Sequence, residues 1–128
     1  MTLQINLKGR VALITGGSGE LGRVMARSLA SCGADVGIHF HHGKERAEAL
    51  AEELRAIGVQ AVTVTGDVGS FDDVAAMKPV MAASLGLPDI VVANAVSQIL
   101  PWKTLLEEEL GDYEDQFRSC VLQNVHLA

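Results

Sequence analysis

The hydrophobic and polar positions of the chain alternate between two periodicities. Short apolar runs, typical of strands buried on both faces, occupy residues 10–15, 35–40, 59–65 and 90–93. Segments with helical spacing of apolar positions follow these runs, over residues 21–33, 44–57, 70–85 and 112–128. This alternation predicts an α/β fold, a doubly wound parallel sheet with helices on both faces, because right-handed crossovers leave few other topologies.

Some helical segments carry features that modify this prediction. Ser70 is the expected N-cap of the third helix, and Pro79 within that helix is expected to kink or divide it. A short additional helix is expected near residues 103–109. The last helix carries a stripe at Tyr113, Phe117, Cys120 and Val121, which continues to Asn124 and Ala128.

The chain stops inside this last helix, with neither a C-cap nor a closing strand. Its 128 residues are about one domain's worth. We therefore expect the front part of a larger sheet, truncated after the fourth strand and the helix that follows it. The edge of the fourth strand and the apolar stripe of the last helix should be poorly covered, and such surfaces associate.

Composition excludes several classes of protein. Hydrophobic residues make up 48% of the chain and charged residues 20%, which is typical of a soluble globular protein. The net charge of −6 argues against nucleic-acid partners, and no apolar run is long enough for a membrane span. Cys32 and Cys120 form no C-x-x-C motif, and no secretory signal is evident, so a reducing, cytoplasmic setting is expected.

The strongest chemical signal is the segment Thr15–Gly22, between the first strand and the first helix. Gly17, Gly19 and Gly22 satisfy G-x-G-x-x-G, in which glycine allows a tight turn and lets the backbone approach a pyrophosphate. The N-terminus of the following helix offers free N–H groups to phosphates. Glu20 would repel a phosphate if it pointed inward, so its side chain is expected in solvent. The pattern predicts a Rossmann-like dinucleotide site.

Three motifs in register resemble the short-chain dehydrogenase/reductase family, and in particular its 3-oxoacyl-(acyl carrier protein) reductase-like members. They are the turn Thr15–Gly22, Gly66-Asp67-Val68 after the third strand, and Ala93-Asn94-Ala95 after the fourth. The family turn T-G-x-x-x-G-x-G is broken at Glu20, and the family motif N-N-A-G is matched only at Asn94 and Ala95. The departure at Val96 puts the approach of the nicotinamide-side ribose in question.

The resemblance implies a role for each matching residue. Residues 1–128 would form a single dinucleotide-binding Rossmann-like domain, incomplete at its C-terminus. Asp67 and Val68 would contact the adenine, while Asn94 and Ala95 would brace the sheet beside the cofactor. The pyrophosphate would be held by the turn, at Gly16, Ser18, Gly19, Glu20, Leu21 and Gly22.

The end of the second strand indicates which dinucleotide is used. An NAD site usually has a carboxylate there, on the ribose hydroxyls. This chain instead has Phe40, His41 and His42, with Lys44 close behind, so NADP is favoured over NAD, although Gly19 lacks the basic residue of many NADP-dependent relatives. Strand alternation would place His39 and His41 on one face and His42 on the other, so no metal site is expected.

The acid–base residues of the family are missing from these 128 residues. The family uses a tyrosine with a lysine four residues later and a serine, whereas the single tyrosine, Tyr113, is followed four residues on by Phe117. Cys120 stands at the position of a family asparagine that supports a proton relay. Asn124, one turn further along, is a candidate substitute, although an ordinary polar helix residue explains it equally well. The catalytic Ser and Tyr-x-x-x-Lys are expected beyond Ala128.

Three functional hypotheses follow. The first is an NAD(P)-dependent oxidoreductase that transfers hydride between NADP(H) and a small carbonyl or alcohol substrate, with the 128 residues alone inactive. The second is a non-catalytic dinucleotide-binding or regulatory protein of the same fold. The third, a methyltransferase that binds S-adenosylmethionine, gains nothing from Asn94 and Ala95. The resemblance also implies a homo-oligomer, a dimer or tetramer, packed through the last helix.

Overall fold

The computed structural model describes residues 3–98 and 100–128 and contains a four-stranded parallel sheet of order β3-β2-β1-β4. The strands are β1 (Val11–Ile14), β2 (Asp35–Phe40), β3 (Ala61–Thr65) and β4 (Ile90–Val92). The first three helices are α1 (Glu20–Ser31), α2 (Lys44–Ala56) and α3 (Phe71–Ser84). The chain ends in α4 (Leu110–Phe117), a π-helical turn (Arg118–Leu122) and α5 (Gln123–Leu127). The predicted doubly wound, Rossmann-like α/β fold is confirmed.

Helices cover both faces of the sheet, which explains why its strands read as continuous apolar runs. On one face α1 and α2 pack against the sheet through a cluster that includes Ile14, Val36, Ile38, Ala26, Ala30, Leu50 and Leu54. On the other face α3 packs against Val11, Leu13 and Val64 through Val74, Met77 and Met81. Every residue of β1 is therefore buried, and this strand forms the centre of the domain.

Two helix predictions are wrong in part. Pro79 does not divide α3, which runs unbroken from Phe71 to Ser84 with Pro79 inside it. The expected helix at 103–109 is absent. The carboxylate of Glu107 instead accepts hydrogen bonds from the N–H and hydroxyl of Thr104, at 2.9 and 2.8 Å, and this closes a turn. The next helix begins only at Leu110.

The last helical segment presents the predicted apolar stripe to solvent. Its exposed large residues are Leu110, Tyr113, Phe117, Val121 and Val125. The inward face is polar, with Ser119 and Gln123 buried, and the π-helical turn lies between α4 and α5. The outer edge of β4 has no strand partner in the described part of the chain. In residues 3–98 and 100–128, none of the helices has the length and apolar character that crossing a bilayer requires.

Candidate functional site

The carboxyl ends of β1 and β4 lie side by side, and we call the space outside them the crevice. The sheet is extended from β1 toward β2 and β3 on one side and toward β4 on the other, so that the strand order reverses at β1. In doubly wound sheets such a reversal point is the usual ligand site. The glycine-rich turn follows β1, and the segment that begins at Ala93 follows β4. These two segments form the walls of the crevice.

Close backbone packing explains three glycines of the turn. A Cβ at Gly22 would lie 2.2 Å from the carbonyl oxygen of Gly16, so the first turn of α1 rests directly on the glycine-rich turn. A Cβ at Gly17 would lie 2.9 Å from Cγ2 of Ile38 in β2. Gly16 has a φ of +62°, and its Cβ would meet Cα of Ala95 at 3.0 Å. The turn is therefore wedged between α1, β2 and the segment after β4, as the glycine pattern predicts.

The first turn of α1 leaves backbone donors unused. The first hydrogen bond of the helix runs from the N–H of Arg23 to the carbonyl of Gly19, at 3.0 Å. The N–H groups of Glu20, Leu21 and Gly22 precede it, and no acceptor for them is present among the described residues. Together with the positive end of the helix dipole, these amides form a site suited to an anion such as a diphosphate.

The side chains around these amides do not obstruct an anion. Glu20 is exposed and pairs with Arg23 on the outer side of α1, which confirms that it points to solvent. Leu21 is also exposed, and Ser18 is buried within the turn. The one acidic side chain of the motif is thus held away from the anion site by its ion pair.

Thr15 joins the two walls of the crevice. Its side chain is fully buried, and its hydroxyl oxygen accepts hydrogen bonds from the N–H groups of Asn94 and Ala95, both at 2.9 Å. In return the side-chain amide of Asn94 donates to the carbonyls of Thr15 and Gly16, at 3.1 and 3.3 Å. Asn94 therefore links the ends of β1 and β4 through these hydrogen bonds.

A polar face of the last helical segment, which the sequence analysis missed, extends this link. The hydroxyl of Thr15 donates to Oε1 of Gln123 at 2.9 Å, and Nε2 of Gln123 donates to the carbonyl of Ala95 at 2.6 Å. Ser119 accepts a hydrogen bond from the N–H of Ser97 at 2.9 Å. Ser119 and Gln123 lie one helical turn apart, and this polar spacing was a usable signal in the sequence.

The two candidates for a proton-relay role lie elsewhere. Cys120 and Asn124 are on the exposed face, and the side chain of Asn124 donates to the carbonyl of Cys120 at 2.8 Å. Tyr113 is half-exposed, and its hydroxyl donates to the carbonyl of Leu105 at 3.0 Å. Cys120 and Asn124 therefore do not reach the crevice, because Ser119 and Gln123 on the polar face of the helix occupy the inward position instead.

The segment after β3 is held in place by hydrogen bonds to two aspartates. Asp67 is exposed, and its carboxylate accepts a hydrogen bond from the N–H of Gly69 at 2.8 Å. The N–H of Asp67 in turn donates to the carboxylate of Asp73, at 2.8 Å, and Val68 is buried beside it. Asp73, on the first turn of α3, is a supporting residue that the sequence analysis did not single out.

The residues at the end of β2 are divided between core and solvent. Phe40 packs into the core between the sheet and α2, so its ring does not face the crevice. His41 and His42 are exposed, and their rings stack with centroids 4.1 Å apart. The prediction that these two histidines lie on opposite faces is wrong, because β2 ends at Phe40 and strand alternation stops there. No three His, Cys, Asp or Glu side chains within residues 3–98 and 100–128 are grouped for a metal ion.

Two basic side chains lie just beyond these histidines. Lys44 is the first residue of α2 and is exposed. The guanidinium of Arg46 folds back over Gly43, where an added Cβ would lie 3.0 Å from its Nη2. No carboxylate is present between residues 39 and 44, as the sequence analysis noted. Arg46, which the sequence analysis missed, adds a second cation at the place where a ribose phosphate would sit.

An open cavity of about 520 Å³ lies beside the segment that follows β4. Its lining comprises Val96, Ser97, Gln98, Leu100, Trp102, Glu108, Tyr113 and Gln116. The cavity has apolar walls with a few polar groups, which is the usual character of a small-molecule site.

Residues 10–125 match the family model described as short chain dehydrogenase. The chain is 35% identical over 111 residues to hydroxynaphthalene reductase arp2 of Aspergillus fumigatus, covering 87% of this chain and 40% of that protein. It is 38% identical over 84 residues to the 3-oxoacyl-(acyl-carrier-protein) reductase FabG of Staphylococcus aureus, covering 66% of this chain and 34% of that protein.

Solved structures show the same likeness. L-sorbose reductase from Gluconobacter frateurii, complexed with NADPH and L-sorbose, has a TM-score of 0.87 and 28% identity, over 98% of this chain and 47% of that one. A short chain dehydrogenase from Burkholderia cenocepacia, in complex with NADP, has a TM-score of 0.86 and 31% identity, over 95% and 49%.

The chain thus spans less than half the length of these relatives. None of these relatives is a methyltransferase, so the third hypothesis receives no support. The glycine-rich turn, the segment after β3 and the segment after β4 all lie within the matched residues. The chain belongs to the short-chain dehydrogenase family.

Proposed function

We propose that residues 1–128 form one dinucleotide-binding domain, and that it serves an oxidoreductase that transfers hydride between NADP(H) and a small carbonyl or alcohol substrate. The observation that carries this proposal is the set of free amides at the start of α1, held against the turn by the contact between Gly22 and Gly16. A bound nicotinamide dinucleotide would supply the hydride. This chain's residues would bind and orient it.

Each part of the crevice fits one part of the cofactor. The amides of Glu20, Leu21 and Gly22 would bind the pyrophosphate. Asp67 and Val68 would flank the adenine at the far end of the crevice. Further inward, the segment that follows Asn94 borders the 520 Å³ cavity, which would receive the substrate.

The preference for NADP over NAD rests on charge. Residues 41–46 contain His41, His42, Lys44 and Arg46, while the one carboxylate among them is Glu45 on α2. The two histidines and Lys44 are exposed, and the guanidinium of Arg46 lies over Gly43. A ribose 2′-phosphate needs cationic or donating groups, whereas an NAD site uses an acidic residue at the end of the second strand.

The proton-transfer residues of the family would lie outside these 128 residues. The only tyrosine, Tyr113, has its hydroxyl bonded to Leu105 and no lysine four residues later. The same observation keeps the alternative open: a dinucleotide-binding or regulatory protein without turnover. Binding of a dinucleotide is common to both proposals, whereas a Ser and a Tyr-x-x-x-Lys outside these residues would support only the enzyme.

We further propose that the exposed stripe of the last helical segment mediates self-association, as a dimer or tetramer. Phe117 and Val121 are about half exposed, and Leu110 is more exposed still. An uncovered apolar helix face of this kind is typical of an interface.

Both cysteines, Cys32 and Cys120, are free thiols, which supports the proposed cytoplasmic setting.

Substitution Gly22→Ala should weaken dinucleotide binding. The added methyl group would lie 2.2 Å from the carbonyl oxygen of Gly16, so α1 and its free amides must move away from the turn. We expect the dissociation constant for NADPH, measured by calorimetry, to rise at least about tenfold, the equivalent of one lost charge-assisted hydrogen bond. Gly111→Ala is the matched control, because a Cβ at Gly111 meets nothing within 4 Å. Equal binding by Gly22→Ala and the control would contradict the proposed site.

The proposed coenzyme preference is tested by Lys44→Ala and Arg46→Ala. Each should weaken NADPH binding several-fold and leave NADH binding unchanged, because only NADPH carries the 2′-phosphate that these cations would face. Fluorescence titration with each nucleotide gives the two dissociation constants. Lys78→Ala, which removes an exposed cation on α3, serves as the charge-matched control. Equal losses for NADPH and NADH would refute the assignment of these residues to the phosphate.

The 128-residue chain should show no reductase activity. Oxidation of NADPH in the presence of aldehyde and ketone substrates should proceed at the rate without protein, because Tyr113, which borders the proposed substrate cavity, has no lysine four residues later and its hydroxyl is bonded to the carbonyl of Leu105. The measurement is the loss of NADPH absorbance over time. Measurable carbonyl reduction by the purified chain would overturn the proposal that its acid–base residues lie elsewhere.

Self-association through the stripe should be sensitive to one added charge. Phe117→Glu places a carboxylate in the centre of the stripe and should shift the chain toward the monomer in sedimentation velocity. Leu106→Glu is the control, because Leu106 is 95% exposed and lies outside the stripe. A wild-type chain that sediments as a monomer at all concentrations would contradict this proposal.

A further inference from the structure

His39 lies between the glycine-rich turn and the segment that follows β3. It makes none of the contacts proposed above for the dinucleotide. It occupies β2, paired in register with Val64 of β3, and only 1% of its surface is exposed. In residues 3–98 and 100–128 it is the only buried side chain that can titrate near neutral pH. A buried imidazole in this position must have partners for both ring nitrogens.

Both ring nitrogens are hydrogen-bonded to backbone groups. The N–H of Gly16 donates to Nδ1 at 3.0 Å, and Nε2 lies 2.8 Å from the carbonyl oxygen of Gly66. An amide N–H only donates and a carbonyl oxygen only accepts, so Nδ1 must carry a lone pair and Nε2 the hydrogen. The two contacts therefore assign the neutral imidazole with its hydrogen on Nε2.

These contacts join the glycine-rich turn to the segment that follows β3. The backbone carbonyl of His39 also accepts the N–H of Gly17, at 2.8 Å, so this one residue binds two successive amides of the glycine-rich turn. Gly66 immediately precedes Asp67 and Val68 in the chain. We call the contacts of His39 with Gly16, Gly17 and Gly66 the His39 bridge.

The bridge fixes the distance between the anion site and the adenine side. A dinucleotide can contact the anion site and the adenine side together only when these lie at one particular separation. Because the bridge holds that separation before binding, the entropic cost of ordering the two sites on binding is avoided. Protonation of Nδ1 would set one N–H donor against another, the amide of Gly16, at a buried position. The link between Gly16 and the imidazole would then be lost.

The surroundings of His39 oppose its protonation. Burial lowers the pKa of His39 below that of an ordinary histidine; the hydrogen bond to Gly66 acts in the opposite direction. Of the charged neighbours, His41 lowers this pKa and Asp67 raises it. The adjoining strands β1 and β3 and the turn Gly16–Gly19 contain no ionisable residue. The imidazole is therefore neutral at pH 7, and the bridge is lost only in more acidic solution.

We propose that His39 is a positioning residue, whose neutral imidazole holds the glycine-rich turn and the Asp67 segment at the separation that a dinucleotide requires, and whose protonation weakens the binding of NADH and NADPH alike. This inference rests on the proposed dinucleotide site. It differs from the phosphate role proposed for His41 and His42, because those two side chains would contact only NADPH, which carries the 2′-phosphate.

The first test measures the bridge without any nucleotide. In the protein labelled with ¹⁵N, the ring nitrogens of His39 should show an unprotonated Nδ1 and a protonated Nε2 at neutral pH. The amide resonance of Gly16 should shift with the same midpoint as His39 when the pH is lowered. A protonated Nδ1 at neutral pH, or a Gly16 resonance that does not follow His39, would overturn the bridge.

The second test measures binding from about pH 7.5 to about pH 5, the range around and below the ordinary histidine pKa. For the wild-type chain, the dissociation constants of NADH and NADPH should both rise with the same pH midpoint as the His39 ring nitrogens, and by about tenfold once His39 is fully protonated, as for one lost buried hydrogen bond. In His39→Asn the amide oxygen can replace Nδ1, and in His39→Gln the amide nitrogen can replace Nε2. Neither side chain titrates, so this component of the pH profile should vanish in both variants.

The outcomes separate the hypotheses. A pH effect on NADPH alone, or affinity that increases in acid for both nucleotides, would overturn the proposal. A pH profile of His39→Asn and His39→Gln that matches the wild type would also overturn it. Absence of binding by either nucleotide at every pH would remove the proposed function and the binding role with it, while the ring-nitrogen measurement still decides the bridge. That measurement needs no variant, so misfolding of a substituted chain does not affect it.

Discussion

The domain depends on one steric constraint, the contact between the start of α1 and the turn that precedes it. A Cβ at Gly22 would lie only 2.2 Å from the carbonyl oxygen of Gly16, and a Cβ at Gly17 would meet Ile38 at 2.9 Å. Because both positions are glycine, α1 packs directly on the turn. Its unused N–H groups then lie next to the carboxyl end of β1. Any side chain there would separate helix from turn and disperse these donors.

Buried polar contacts hold this arrangement from two sides. On one side His39 binds the turn and the segment before Asp67; on the other, Thr15 binds the segment after β4 and Gln123. In both cases a buried side chain is fully hydrogen-bonded to irregular backbone that no strand or helix satisfies. The crevice is therefore shaped by short polar links, while the two apolar clusters on the faces of the sheet provide the bulk of the burial.

Membership of the short-chain dehydrogenase family and the residues of the crevice both support the proposal that this chain binds the nucleotide and does not supply the proton-transfer residues. All three nucleotide segments lie within residues 10–125, which the family model matches. The helical positions where the family resemblance suggested a proton relay, Cys120 and Asn124, face solvent. The cavity beyond β4, where we propose that the substrate binds, has walls that include Ser97 and Trp102.

The sequence by itself determined the elements, their order and the nucleotide turn, because hydrophobic periodicity and glycine sterics act over a few neighbouring residues. The four strands and the helices α1, α2 and α3 lie within two residues of their predicted bounds. The last helical segment does so as a whole, although a π-helical turn interrupts it. Only the tertiary structure decided which face of the last helical segment turns inward and what His39 binds. These depend on backbone groups at Ala95 and Gly66, far away in the chain, which require partners wherever the fold buries them.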